Sequence, residues 1–447
     1  MSSLTYMQLL RGSRPFRLLL TGQVVSELGN WFNFIAVLGL VRAVTGASAE
    51  ALAVLVVLRF APFAVLAPVA GALVDRWPRR AVLLASDLLS AAAALGFLLV
   101  NDAGDLWIAY FCIAALALLS AFFEAAKSAS LPAVAGDRGL LAGNALMFSS
   151  RFLLMAVGSA LGGEASFRFG YKVAFVINAA SFLVSACSIW LIREEELRPA
   201  EAPGAGSSSA RRGVGRVWAD LRDGWKYIIE HRLVAAIIGI NILWATGGGA
   251  LNLVYERLGS VTFAGRGGPE GDRGVALMYT AVGAGLFIGM LLARRVGAHV
   301  EVRGSTARFI GWMVILHGVL FALAGLMPEL WLAAAVIFAS RVVIGVEFAV
   351  QETLVMRLLP DNLRGRVFTT DRAAEIGVVS IAGLVWGLLL AGPLTPRSLT
   401  VLSGLLSASP GVVWLVLFAA GKLSMPRKIG REETEDDEKA AALASAG

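Results

Sequence analysis

Charge is scarce in this 447-residue sequence: Asp, Glu, Lys and Arg make up 16% of it, against about 25% in a typical soluble domain. So few charges cannot cover a water-facing surface, and most soluble classes are excluded. Cysteine is almost absent: Cys112 and Cys187 both sit in apolar runs without CxxC or Cys/His spacing. That argues against a disulfide framework and a zinc site. The three histidines, His231, His299 and His317, leave little material for a metal centre or a histidine relay. Paired catalytic carboxylates and a nucleophile elbow are also missing. The glycine-rich GRGGPEG at residues 265–271 lacks the Lys-Ser/Thr ending of a phosphate-binding loop. Enzymatic activity, ATP hydrolysis and a bound cofactor or metal are therefore not expected. No small-residue cleavage site follows the three arginines of residues 1–17, so the first apolar segment is expected to stay in the mature protein.

What is abundant is apolar: 57% of the residues are hydrophobic, with 49 glycines and a mean hydropathy of +0.73. Lipid-facing helices need apolar side chains all round, while glycine lets helices approach closely. Twelve apolar segments are legible, at about 16–43, 49–74, 81–100, 106–128, 142–166, 172–192, 233–256, 274–294, 308–327, 331–354, 373–392 and 399–420, each near the length a membrane crossing needs. The only long central break, residues 193–232, separates six from six. Within it Val217, Leu221, Trp225 and Ile228 fall at helical spacing, with Arg222 and Lys226 free for headgroups, so an interfacial amphipathic helix is expected. The acidic tail EETEDDEK cannot bury a core and reads as disordered.

The net charge of +7 would suggest nucleic acid in a soluble protein. Here the basic residues lie between apolar runs and set topology instead. With both termini inside, 29 of the 39 Lys and Arg fall on the cytoplasmic side and three within spans. The other seven (Arg42, Arg168, Lys172, Arg257, Arg266, Arg273 and Arg397) fall in outer loops. The expected architecture is an all-α membrane protein with N-in and C-in topology. It has an N-terminal six-helix bundle (1–192), a cytoplasmic central loop (193–232), a C-terminal six-helix bundle (233–422) and a tail (423–447).

GALVDRWPRR, residues 71–80, resembles the signature G-x-L-x-D-R-x-G-R-R of the major facilitator superfamily. Gly71 would let helices approach, Asp75 would pair or accept at a helix terminus, and Arg76, Arg79 and Arg80 would supply cations that latch two bundles. Pro78 replaces the signature's internal glycine, stiffening the turn. The corresponding loop of the second half, GMLLARRVGAH from Gly289, has Ala293 where the acid would stand. In the fifth segment VGSALGG resembles the antiporter signature G-P-x-L-G-G through Gly158, Gly162 and Gly163, with Ser159 in place of proline. FRLLLTGQVVSELGNWF at Phe16, LRFAPFAVLAPVAGALVDR at Leu58, FVINAASFLVSA at Phe175 and LPDNLRGRVF at Leu359 extend the likeness over about residues 12–425. Together they resemble the macrolide-efflux and enterobactin-exporter group of that superfamily. The resemblance implies the major facilitator fold, alternating access between two bundles, and proton-driven export, giving an expected role in multidrug resistance. It also implies a multi-pass protein of a cell membrane, the bacterial cytoplasmic membrane.

An ionisable group within a span is costly unless it faces a cavity or a partner. The candidates are Glu27, Arg59, Asp87, Glu124, Arg151, Arg341, Glu347 and Glu352. At a rise of about 1.5 Å per residue, Glu27 lies about 17 Å into its span. Arg59 is likewise near mid-depth. Glu27 is the expected proton-coupling carboxylate and Arg59 its counter-charge, although the related proteins carry their acid three positions later, where this chain has Asn30. Asp87, Glu124 and Arg151 lie nearer the cytoplasm and are assigned to gating. Trp31, Phe34, Asn241, Trp244, Asn252, Arg341 and Glu347 are candidate substrate contacts, since aromatic faces, amides and charges can hold an amphipathic molecule. Expected partners are a small-molecule substrate, protons and the bilayer, with no nucleic acid and a monomeric chain. A uniporter, an importer, a lipid flippase and a transport-dead sensor or scaffold are the alternatives.

Overall fold

The computed structural model describes residues 4–74, 76–197, 214–263, 270–392 and 394–425. All regular elements among them are helical. A lead helix of about two turns, α1 (Tyr6–Gly12), opens with a Thr5/Gln8 capping box. Ser13 then caps α2 (Arg14–Thr45). There follow α3 (Ala49–Val74), α4 (Arg79–Gly96), α5 (Ala103–Gly136), α6 (Arg138–Phe169) and α7 (Tyr171–Trp190). After the central break come α8 (Val214–Glu230) and α9 (Arg232–Thr262), whose last turn, Leu258–Thr262, is a π-helix. The chain continues through α10 (Glu270–Val302), α11 (Thr306–Ala324), α12 (Leu330–Leu358), α13 (Asp361–Ala391) and α14 (Pro396–Ala419).

By length and composition, 11 described helices can cross a membrane: α2, α4 to α7 and α9 to α14. The 26-residue α3 stands where the remaining expected segment falls. Trp107 and Trp331 are 66% and 70% exposed, and Phe111, Leu388 and Leu405 also point outward. Such a surface is an aggregation hazard in water and the required one in lipid, where helices satisfy their own backbone groups. The chain is a multi-pass membrane protein.

The connection expected between the fourth and fifth segments shrinks to a corner. α5 and α6 meet at Gly136, whose φ of 66° and ψ of 165° reverse the chain without a loop. A side chain would be strained in that backbone conformation, so only glycine reverses it cheaply. Hydropathy missed the corner because its flanks carry charges that read as a loop.

Close helix approach is built on glycine. A Cβ added to Gly318 of α11 would lie 2.5 Å from the Ala408 nitrogen of α14, and one added to Gly404 would lie 2.4 Å from the Ala322 nitrogen. The two halves touch in the same way. Gly283 of α10 sits against the Phe152 to Ala156 backbone of α6, and Gly387 of α13 against Ala53 of α3. The central break contributes α8, whose Gly224 lies against Thr370 and the Arg366 carbonyl of α13, with Arg366 bonded to Asp223 at 3.1 Å. Ile228 is buried while Trp225 is exposed, so the docked edge runs through Gly224 and Ile228. Trp225 stays on the exposed side, the side an interfacial helix would turn to lipid. The tail expected to be disordered falls, from residue 426 on, outside the described residues.

The apolar core is distributed unevenly along the membrane normal. At the end where α2 joins α3, the outer end in the N-in orientation, one core runs through both halves, from Phe34 and Leu52 to Tyr255, Tyr279 and Phe321. Towards the cytoplasmic end the cores are separate. Phe16, Val134 and Ile189 belong to one; Ile237, Leu354 and Trp414 belong to the other.

Candidate functional site

At the outer end of α2 the Arg42 guanidinium is 4% exposed. Its Nη1 donates to Glu256 Oε1 of α9 at 3.0 Å, and its Nη2 pairs with Asp272 of α10. Ser260 Oγ donates to Glu256 Oε1 at 2.7 Å, and Arg257 Nη2 donates to the Ala47 carbonyl at 2.7 Å. Tyr171 hydrogen-bonds Asp272 from α7. Nearer the rim, Glu164 of α6 pairs with Arg273 of α10 at 2.8 Å, and Arg273 lies 3.6 Å over the Phe167 ring. Arg42, Arg257 and Arg273 each join the first six helices to the last six. Arg42 and Arg257 were expected in outer loops; both are buried instead, because two carboxylates and a carbonyl offer acceptors within the interface. The sequence held one sign of this: Arg42 lies inside the first apolar segment and Glu256 closes the seventh.

Beneath this cluster lies a line of rings crossing the interface. Trp31 and Phe34 of α2 meet Tyr279 of α10, with centroids 5.9 and 5.4 Å away. Tyr279 meets Tyr255 of α9 at 5.3 Å, and Tyr255 meets Phe321 of α11 at 6.1 Å. A cation stands at each end. Arg59 of α3 lies 4.1 Å over Phe34 and 5.6 Å from Trp31. Arg341 of α12 lies 5.2 Å over Phe321 and 5.7 Å from Tyr255. Tyr279 Oη donates to Asn252 Oδ1 at 2.8 Å, fixing that ring. The rings are buried in the shared outer core in this structure; parted from one another, they would offer an amphipathic molecule apolar area with a cation at each end. Tyr255, Tyr279, Phe321 and His317 carried no sequence signal of their own, since single aromatic residues in apolar runs are ordinary.

Glu27, the expected proton-coupling carboxylate, lies on α2, and its expected counter-charge Arg59 on α3. Glu27 acts electrostatically on both Arg59 and Arg151. Among the described residues no ion pair within 4 Å joins it to either cation. Glu124 is held by Lys127 at 2.7 Å and by Arg151 at 3.8 Å. Asp87 is apart from them, buried and facing Ser185 of α7. Trp31 and Phe34 join the ring line, and Asn252 holds Tyr279 there. Asn241 bonds Asp371 of α13 at 3.2 Å. Trp244 lies 6.2 Å from His317. Glu347 is buried on α12 and forms no ion pair with Arg341. Glu352 lies nearer the cytoplasmic end of that helix.

The two glycine motifs behave unlike each other. Gly158 faces Trp31 and Leu28, Gly162 faces Phe32, and Gly163 faces Ala276 and the Asp272 carbonyl. This motif therefore seats α6 against both α2 and α10. Gly71, by contrast, has no described atom within 4 Å of where a Cβ would stand. No close approach is made there by the described residues, and Asp75 lies outside them. Arg76 is exposed. Arg79 Nη1 donates to the Ala129 and Leu197 carbonyls at 2.7 and 2.8 Å, and the backbone N–H groups of Arg79 and Arg80 donate to the Glu194 carboxylate. Arg80 also bonds the Trp190 carbonyl. These contacts tie the start of α4 to its own half.

The sequence signature described as Major Facilitator Superfamily matches residues 19–374. The chain is 27% identical over 395 residues to the multidrug efflux pump Tap of Mycolicibacterium fortuitum, covering 85% of this chain and 89% of that one. It is 28% identical over 200 residues to the MFS-type transporter YfiS of Bacillus subtilis (strain 168), covering 44% of this chain and 46% of that relative, under half its length. The fold resembles the crystal structure of the nucleoside transporter NupG, with a TM-score of 0.66 at 13% identity, covering 92% of this chain and 100% of the other. It also resembles the peptide transporter POT in complex with sulfate, with a TM-score of 0.65 at 13% identity, covering 94% and 98%. With the signature spanning most of its helices, the chain belongs to the Major Facilitator Superfamily.

Proposed function

We propose that the chain exports an amphipathic small molecule in exchange for protons, by alternating access between twelve spans grouped as 1–192 and 233–422. The observation that carries the alternating-access reading is the uneven core: one apolar core with a buried ion cluster at the outer end, two separate cores at the cytoplasmic end. That arrangement has the features of a state closed outward. Substrate would meet the ring line from the cytoplasmic side. Separation of Arg42 from Glu256 and Asp272 would then open the outer face. The efflux relative supports the export direction. Glu27, lying within electrostatic reach of Arg59 and Arg151, is the proposed proton carrier, and a change in its charge would bias one access state over the other. Asp87, and Glu124 with Arg151, are proposed to act in gating, and Asp75 with its arginines as the cytoplasmic latch.

The test is flux in reconstituted vesicles with an imposed pH gradient, using a panel of fluorescent amphipathic dyes. Wild type should move at least one dye against its gradient only while the pH gradient stands. Glu27→Gln should lose at least tenfold of that flux and retain dye-for-dye exchange, which needs no net proton movement. Equal gradient-driven flux in both proteins would remove Glu27 from coupling. The second reading, uniport, is favoured by the absence of a Glu27–Arg59 ion pair and by Asn30 and Ser159. Under it, collapsing the pH gradient leaves flux unchanged.

A further inference from the structure

The second half holds a group of buried, unpartnered hydrogen-bonding side chains with no carboxylate paired to them among the described residues. Arg341 is 3% exposed, and its Nε and Nη2 have no hydrogen-bond partner. Its electrostatic neighbour is the Tyr255 phenol; no carboxylate stands within ion-pair distance among the described residues. The Tyr255 hydroxyl and the Trp244 indole N–H are buried and unpartnered as well. His317 completes the group. Its Nδ1 lies 2.8 Å from Ser340 Oγ, its Nε2 is unpartnered, and its ring lies 6.2 Å from Trp244 and 6.3 Å from Phe321. Three helices supply these groups: α9 gives Trp244 and Tyr255, α11 His317 and Phe321, and α12 Arg341.

Buried donors are normally satisfied, and a buried cation is normally paired, because the protein interior offers neither with water's solvation. Here four unpartnered donor atoms lie on neighbouring helices, with the His317 Nε2 beside them taking either role according to its tautomer, and no described carboxylate stands within ion-pair distance of Arg341. The side chains packed beside them, Phe321 and Tyr255, are aromatic and buried. A planar guanidinium with two free N–H edges matches a carboxylate in bidentate fashion, flanking phenol and indole donors can complete its oxygens' coordination, and the rings accept a flat apolar body.

We propose that this group is a binding site for the carboxylate of an aromatic or otherwise apolar organic anion, with Arg341 as its counter-ion and Tyr255 and Trp244 as auxiliary donors. The ligand's apolar body lies along Phe321, Tyr255 and Tyr279 towards Phe34. Arg59, over Phe34 at the other end of the ring line, sets a second positive point that favours longer anions with a polar far end. The proposal rests on the transport reading, since it places the substrate class at the interface between the halves. It concerns equilibrium binding and needs no flux.

The test uses the full chain in lipid nanodiscs and three matched pairs of probes: benzoate and benzamide, 2-naphthoate and 2-naphthamide, dansyl-phenylalanine and its carboxamide. Binding is read by calorimetry or dansyl fluorescence. At least one carboxylate should bind at least tenfold tighter than its amide. That preference should vanish in Arg341→Gln, persist in part in Arg341→Lys, and fall severalfold in Tyr255→Phe, which keeps the ring and removes only the hydroxyl. Arg341→Gln should unfold at the same or a higher temperature than wild type, because it removes a buried unpaired charge; a purely structural arginine would give the opposite. A wild type with no carboxylate preference in any pair contradicts the proposal. So does a preference untouched by both Arg341→Gln and Tyr255→Phe. Carboxylate binding without dye or probe flux would uphold the site and overturn the export reading instead.

Discussion

Arg42 illustrates how one residue sets the energetics of the outer end. Its guanidinium answers two buried carboxylates on the opposite half, and Arg257 supplies a third link through the Ala47 carbonyl. Removing one partner of a buried pair costs about 3–5 kcal/mol, because the remaining charge stays desolvated. Arg42→Gln is therefore expected to lower the unfolding temperature in nanodiscs by several degrees. Adding Asp272→Asn should recover part of the loss by deleting a charge the first change orphaned. Additive losses in that double-variant cycle would show that the two groups are not coupled. At this scale the sequence was readable where rarity speaks. Glu27, Arg59 and Arg341 stood out because charge inside an apolar run has a cost. Arg42 and Arg257 were expected in outer loops, and Glu256 and Asp272 drew no notice, because each lies at the edge of a run, where charge costs little in one chain and pairs only when two distant chain segments meet.

At the scale of elements, helix existence was legible from apolar run length, and helix pairing was not. Which glycines are contacts is decided by the neighbour across the interface. Gly318 and Gly239 look alike in sequence, yet a Cβ on Gly318 would strike the Ala408 backbone and one on Gly239 would meet no described atom within 4 Å. Gly318→Val should thus cost about 1–3 kcal/mol by overpacking α11 against α14. Gly239→Ala should be neutral or stabilising by up to about 1 kcal/mol through helix propensity. Thermal unfolding of the two variants checks the pair, and equal effects would contradict the assigned contacts. The docking of α8 is similarly specific. A Cβ on Gly224 would lie 2.6 Å from Thr370 Oγ1 and 2.9 Å from the Arg366 carbonyl, so Gly224→Leu should lift α8 from α13. The expected readout is faster tryptic cleavage at Arg222 and Lys226, both exposed already, with unchanged cleavage elsewhere.

For the whole molecule, the superfamily fold and the split of six segments from six follow from hydropathy and charge count together with the 71–80 signature. The access state does not, because it depends on which ends of two bundles touch. The structure locates that contact in the shared outer core, under the Arg42 cluster. The most direct measurement of this account places a thiol where the halves meet. Ala53 is 3% exposed and packs on Gly387 across the interface. Ala53→Cys, in a background with Cys112→Ser and Cys187→Ser, is labelled from the outer side with a membrane-impermeant maleimide. If buried pairing holds the outer face closed, adding Arg42→Gln should raise the labelling rate at least about tenfold, the change that about 1.4 kcal/mol makes in a two-state population. Equal labelling rates with and without Arg42 would contradict it.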